Sequence, residues 1–203
     1  MVVIEVFAEV GCPFTHVGLR RFVQRRTQLG RDDVRLHVRS WPLELVNGAP
    51  MDPTFIAEEV DDIRSGFDDS LFVGFRAESF PATSLPAFAL TVAAYQRDVA
   101  TGEAVSLAVR DLLFERGVDV ADPAVLADLA EEHGVAADLQ DHAAVLAEYR
   151  VGQQRGVVGS PHFFTPGGDF FCPSLDVSRD AGGHLRITAD PAGFDDFVSA
   201  CLA

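Results

Sequence analysis

Cys12, Pro13, Thr15 and His16 stand together in the stretch EVGCPFTH, residues 9–16. Among them only the cysteine offers a soft nucleophile, and its thiolate is the reactive form. Pro13 suits the first position of a helix, where its missing N–H is not needed. Cys12 then falls at the N-cap. Unpaired N–H groups and the helix dipole favour negative charge there. The expectation is a thiol more acidic than usual: ordinary thiols titrate near ~8.5, and helix-start thiols reach ~3.5–7.5. Thr15 lies three residues on, so its hydroxyl can face the sulfur and donate to the thiolate. It can equally bond its own helix backbone. His16, at i+4 from Cys12, can form a Cys/His pair. The plainer reading of His16 is packing on the sheet or exposure to solvent.

A second group lies far along the chain, in GVVGSPHFF, residues 156–164. The backbone of Ser160, next to Pro161, has an N–H and a C=O that can pair with an extended partner like an added strand. Beyond it, Thr165-Pro166-Gly167-Gly168 reads as a hairpin turn between aromatic strands. If the turn is there, Phe164 faces Asp169, and counting back puts Cys172 opposite Pro161. Cys172 is then either an unconventional resolving thiol or a buried strand cysteine pointing elsewhere. A disulfide needs Cα atoms within ~7 Å. Cys201 belongs to a closing helix and reads as packing.

These residues must be held by regular elements. VVIEVFAEV, residues 2–10, is an apolar, β-branched run and reads as a buried strand. A helix follows from Pro13 towards Gly30. Residues 34–43 alternate, with Val34, Leu36 and Val38 on one face and Arg35, His37 and Arg39 on the other. That predicts a half-exposed strand near a sheet edge. The middle of the chain reads as helices, with Asp-Pro starts at 52–53 and 122–123 and glycine stops at 102, 117 and 134. Ser84 is expected to cap the second of them, and residues 136–154 to form the last. The end reads as the hairpin, a further short strand in GGHLRIT, residues 182–188, and a helix opened by Asp190-Pro191. The order is β-α-β, a helical block, then β-β-α.

This order, with Cys12-Pro13-Phe14-Thr15 at a strand-to-helix junction and Gly159-Ser160-Pro161 entering a strand, resembles the DsbA-like thioredoxin-fold superfamily. That superfamily includes kappa-class glutathione transferases and 2-hydroxychromene-2-carboxylate isomerases. The resemblance implies an α/β thioredoxin-like fold with a helical insertion. Residues 1–48 and 154–203 would form the thioredoxin-like domain, and 49–153 the inserted helical domain. It also implies a cis bond at Pro161, facing the cysteine motif. Cys12 and Thr15 would then be catalytic, and Pro13, Phe14, Ser160 and Pro161 would dock the substrate.

The chain departs from a dithiol motif in one respect: Thr15 occupies the place of the second cysteine. A dithiol cycle within the motif is excluded. The expected activity is a single-cysteine thiol-disulfide oxidoreductase or thiol transferase. A glutathione-type transferase or isomerase acting on an aromatic substrate is the first alternative. A non-catalytic binding module of the same fold is the second. No tightly bound cofactor is expected, only glutathione or another small thiol as a passing partner.

Composition narrows the partners. Residues 51–150 hold 20 Asp/Glu against 6 Arg, a net −14, while the rest hold 11 acidic residues against 10 Arg, a net −1. Nucleic acid is a poor partner, since phosphate binding needs a basic face. Every basic side chain other than histidine is arginine. Arg20, Arg21, Arg25 and Arg26 give the first helix a basic face, which either steers an acidic thiol or pairs with the helical block. Three widely spaced cysteines make no disulfide framework, and no Cys/His spacing suggests a metal. No apolar run approaches the ~18–20 residues of a membrane span. The start lacks a signal pattern, so a cytoplasmic setting is expected. A homodimer remains open.

Overall fold

The computed structural model describes residues 1–179 and 185–203. Strand β1 (Val2–Ala8) lies inside a four-stranded sheet of order β2-β1-β3-β4. It runs parallel to β2 (Val34–Ser40) and antiparallel to β3 (His162–Thr165). Its side chains alternate between faces, as the pleat requires. Ile4, Val6 and Ala8 pack with Leu19 and Phe22 of helix α1 (Pro13–Gln28) and with Phe194, Phe197 and Val198 of the last helix, α8 (Pro191–Leu202). Phe7 turns the other way, onto Trp41 and Val157.

Between β2 and β3 come α2 (Leu43–Asn47), α3 (Pro53–Gly66), α4 (Leu85–Arg97), α5 (Val99–Arg116), α6 (Pro123–His133) and α7 (Ala143–Gln154). Local chemistry explains their ends. Asp52, Asp98 and Asp122 accept N–H bonds as N-caps of α3, α5 and α6. Gly117 and Gly134 end α5 and α6 in the left-handed conformation. Three expectations need correction. Ser84 precedes α4 but makes no cap bond, because its hydroxyl serves two carboxylates. The break between α4 and α5 falls at Asp98, and Gly102 sits inside α5. A Cβ on Gly102 would stand 2.1 Å from the Tyr95 ring, so that glycine marks close packing of α4 on α5, not a stop. The last helix of the block begins at Ala143, not near residue 136, since the preceding residues form turns held by Asp138 and Asp141.

The block docks on the sheet by satisfying its outer edge. The N–H groups of Leu36, Val38 and Ser40 on β2 have no neighbouring strand to take them. Glu103 of α5 accepts the first at 2.8 Å, Tyr95 of α4 the second at 2.9 Å, and Glu148 of α7 the third at 2.8 Å. Arg26 and Arg35 hold Glu103 in place. An exposed strand edge invites pairing with another chain, and here the insertion covers it.

The hairpin of β3 and β4 (Gly168–Phe171) has the expected turn, with Thr165 opposite Gly168 and Phe164 opposite Asp169. A second sheet of two antiparallel strands follows, β5 (Leu175–Arg179) and β6 (Leu185–Ala189). The strand anticipated in residues 182–188 is β6 from Leu185 on, and residues 182–184 lie outside the described part. β5 had no counterpart in the reading of the sequence.

Candidate active site

β1 and α1 are joined by Glu9-Val10-Gly11, which delivers Cys12 to the start of α1. Pro13 takes the first helical position and is buried. Cys12 is the N-cap and only 5% exposed. Its thiol donates to the carbonyl oxygen of Ser160, 3.3 Å away. The Ser160–Pro161 bond is cis. Gly18, on the next turn of α1, leaves room for the proline ring: a Cβ there would lie 3.6 Å from Pro161 Cγ.

Two hydroxyls complete the contact. Thr15 Oγ1 and Ser160 Oγ are 2.7 Å apart, and Ser160 Oγ also accepts the N–H of Glu9 at 2.8 Å. Thr15 has no exposed surface. Both hydroxyls and the Thr15 N–H favour a charged Cys12, but burial opposes it more strongly, and the carboxylate of Glu59 adds to that opposition. The net effect pushes the Cys12 thiol up. This corrects the expectation of an acidic thiol: the helix start is there, but the resting site is too dry for the ion.

The structure brings Cys12, Thr15, Ser160 and Pro161 together. It does not bring His16 to the sulfur. His16 is buried against Phe72 and Phe114, and its Nε2 lies 2.7 Å from Glu115 of α5. Burial holds the imidazole neutral, and a carboxylate partner makes Nε2 the donor. Packing is thus the right reading, though against the helical block and not the sheet. Phe14 is half buried and packs on the same block. Cys172 is partly buried, and its N–H donates to Pro161 O at 3.0 Å, as the register required. Cys201 is buried in α8 among the core residues. The arginines of α1 are engaged within the fold: Arg20 with Asp111, Arg25 with Asp195, Arg26 with Glu103, and Arg21 with the Ser174 carbonyl.

One neighbour of the site escaped the reading of the sequence. Glu9 is buried, with Oε1 accepting Gly11 N at 3.1 Å and Oε2 accepting Leu43 N at 2.7 Å and Ser84 Oγ at 3.3 Å. Burial pushes its carboxyl up. The buried guanidinium of Arg110, itself brought down to about 10 by desolvation, donates to the Glu9 carbonyl at 3.1 Å. The available signal was an acid inside an apolar run, three residues before the cysteine. Two apolar residues flanking the cis-proline segment are exposed. Val158 is 72% exposed and Phe171 55%, and the Phe171 ring lies against Gly159, beside the cis-proline.

Residues 3–181 match the model of the DSBA-like thioredoxin domain.

The chain belongs to that family.

Solved structures similar to this DSBA-like domain share its fold at low identity. A 2-hydroxychromene-2-carboxylate isomerase superposes with a TM-score of 0.63 at 16% identity, over 84% of this chain and 88% of that one. The cytosolic disulfide reductase DsbM from Pseudomonas aeruginosa gives 0.61 at 14%, over 99% and 98%. DsbM with GSH gives 0.60 at 13%, over 99% of each chain. No curated protein matches the sequence. Among the described residues, no three His, Cys, Asp or Glu side chains gather as a metal site, and no helix is long and apolar enough to cross a membrane. The DSBA-like domain here thus carries one motif cysteine, a cis-proline against it, and a pair of hydroxyls between them.

Proposed function

We propose that this DSBA-like protein is a single-cysteine thiol-disulfide oxidoreductase or thiol transferase in which Cys12 is the nucleophile. The observation that carries this reading is the contact of the Cys12 thiol with the Ser160 carbonyl at the cis-proline, 3.3 Å. A disulfide lying along Ser160 would meet the sulfur directly. Cys12 thiolate attacks one sulfur of a substrate disulfide, forms a mixed disulfide and releases the other half as a thiolate. A small thiol such as glutathione then attacks the mixed disulfide, freeing Cys12 and carrying off the bound half. Thr15 and Ser160 share one hydrogen bond, and the hydroxyl whose proton that bond leaves free donates to the Cys12 sulfur when it carries charge. Pro13 and Phe14 shape the helix start, and Ser160 and Pro161 dock the substrate backbone. The exposed Val158 and Phe171 favour an apolar residue beside the disulfide.

The raised Cys12 thiol has a consequence. Only the thiolate attacks, so the rate climbs with pH through and above neutrality. The test is intact-mass measurement after exposure to oxidised glutathione across a pH series. The wild type should be oxidised at Cys12, either holding one glutathione or losing two hydrogens, and Cys12→Ser should do neither. A wild type that takes up iodoacetamide at Cys12 but shows neither change with oxidised glutathione would sink the redox reading.

The hydroxyl pair favours a second reading. Thr15 and Ser160 can hold the thiolate of a bound small thiol instead, for use on an aromatic substrate in transferase or isomerase chemistry. Retained glutathione binding in Cys12→Ala, with no disulfide exchange in the wild type, would select it.

A further inference from the structure

Two thiols flank one dipeptide. Cys12 contacts the carbonyl of Ser160 through its sulfur, at 3.3 Å, and Cys172 contacts the carbonyl of Pro161 through its N–H, at 3.0 Å. Residues opposite each other in an antiparallel pair stand about 4.5–5.5 Å apart at Cα. Cys172 is thus one strand spacing from Pro161, and Cys12 touches the residue before it.

Cys172 is not an ordinary strand residue. It ends the β4 pairing with φ +46, in the left-handed region that glycine and asparagine accept most easily. Among the described residues other than glycine, only Phe72 shares a positive φ. The chain leaves β4 at this point through a turn in which Leu175 N approaches the Cys172 carbonyl. Arg21 of α1 donates to the carbonyl of Ser174 in the same turn. The helix that presents Cys12 therefore also anchors the turn that presents Cys172. Ser174 is 2% exposed, and its hydroxyl has no hydrogen-bond partner among the described residues. That hydroxyl lies 3.8 Å from the Cβ position of Gly18, which is itself 3.6 Å from the Pro161 ring, so the turn packs where α1 meets the cis-proline.

We infer that Cys172 is the resolving thiol of Cys12, doing from the second strand of the hairpin what Thr15 cannot do within the motif. The inference rests on the proposed redox reading of Cys12. The step is an exchange: the Cys172 thiol attacks the Cys12 sulfur of the Cys12–substrate disulfide, the substrate leaves as a thiol, and a Cys12–Cys172 disulfide forms. Over the cycle a substrate disulfide is reduced to two thiols and the protein is oxidised by two electrons. Two molecules of a small thiol restore it, leaving as their own disulfide.

The two thiols sense one another. Burial, with a contribution from charge on Cys12, raises Cys172 to about 12. That contribution disappears once Cys12 is in a mixed disulfide, because a disulfide sulfur carries no charge. Resolution is still a slow step at neutral pH and accelerates about tenfold per pH unit below the thiol's pKa.

The experiment treats the full chain with oxidised glutathione and follows intact mass, peptide mapping and released glutathione. The wild type should lose two hydrogens, map a Cys12–Cys172 linkage and release two glutathiones per chain. Cys172→Ser and Cys172→Asn should stop at one glutathione held on Cys12. The asparagine variant tolerates the left-handed backbone and guards against misfolding, and Cys201→Ser should behave as the wild type. If wild type and Cys172 variants accumulate the same Cys12 adduct, Cys172 is not the resolving thiol while the function of Cys12 stands. If no protein forms an adduct or linkage at Cys12, the redox reading fails and takes this inference with it.

Discussion

Thr15 Oγ1 lies 2.7 Å from Ser160 Oγ, across 145 residues of sequence. The bond ties the first turn of α1 to the cis-proline segment. It also means that neither hydroxyl acts alone on the sulfur, since Ser160 Oγ is already fixed by the Glu9 N–H.

Thr15→Val keeps the shape and removes the donor. A hydrogen bond to a charged group contributes about 1.5–3 kcal/mol, and one pKa unit corresponds to about 1.4 kcal/mol. The Cys12 thiol should therefore rise by about one unit or more, read from thiolate absorbance against pH with Cys12→Ala as blank. Adduct formation at fixed pH should slow about tenfold. An unchanged titration would show that Thr15 bonds only to Ser160.

Glu9 gives a pH dependence with a definite sign. Its carboxyl is raised from the ordinary 4.5 by burial, so the folded state holds this proton to higher pH than the unfolded state does. The associated stability is fully present below about pH 4.5 and is lost as pH rises through the folded value. Glu9→Gln does not titrate. The stability of the wild type relative to Glu9→Gln should be greatest in acid and should shrink as pH rises, in paired denaturant melts. A constant difference across that range would contradict the assignment.

Glu103 is the buried anchor between the helical block and β2. It is 3% exposed, pairs with Arg26 and Arg35, and accepts Leu36 N. Glu103→Ala leaves the guanidinium of Arg26, 5% exposed, without its carboxylate. Breaking a buried pair on one side costs about 3–5 kcal/mol. The urea midpoint should fall accordingly, and a loss below about 1 kcal/mol would mean that the edge contact is not structural. Because the change also frees the edge of β2, aggregation on mild heating should increase.

Gly102→Ala tests the packing of α4 on α5. Helix propensity alone favours alanine by about 1 kcal/mol. The added methyl would stand 2.1–2.6 Å from three Tyr95 ring atoms, and the Tyr95 hydroxyl serves the β2 edge. Overpacking of this kind costs about 1–3 kcal/mol, so the net effect should be destabilising. A stabilised variant would show that the ring moves aside freely.

The fold was largely legible because its signals are local. The alternation of Val34, Leu36 and Val38, the Asp-Pro starts and the Thr165–Gly168 turn each act within a few residues, and the hairpin register placed Cys172 opposite Pro161 by counting alone. Where a residue had two uses, the sequence did not choose between them. Ser84 has the chemistry of a cap, yet two carboxylates from other elements claim its hydroxyl. Gly102 looks like a stop, yet it is a contact surface for a ring seven residues earlier.

The sequence by itself determined where Cys12 stands, at a helix start behind a proline, and that its motif lacks a second thiol. Those are properties of neighbours along the chain. Only the tertiary structure decided the charge and company of that thiol: the burial that raises it, the Ser160 carbonyl it meets, the diversion of His16 to Glu115, and the buried Glu9 beneath the motif. Desolvation and hydrogen bonding depend on every group that converges in space, and here those groups come from β1, α1, α5 and the cis-proline segment together.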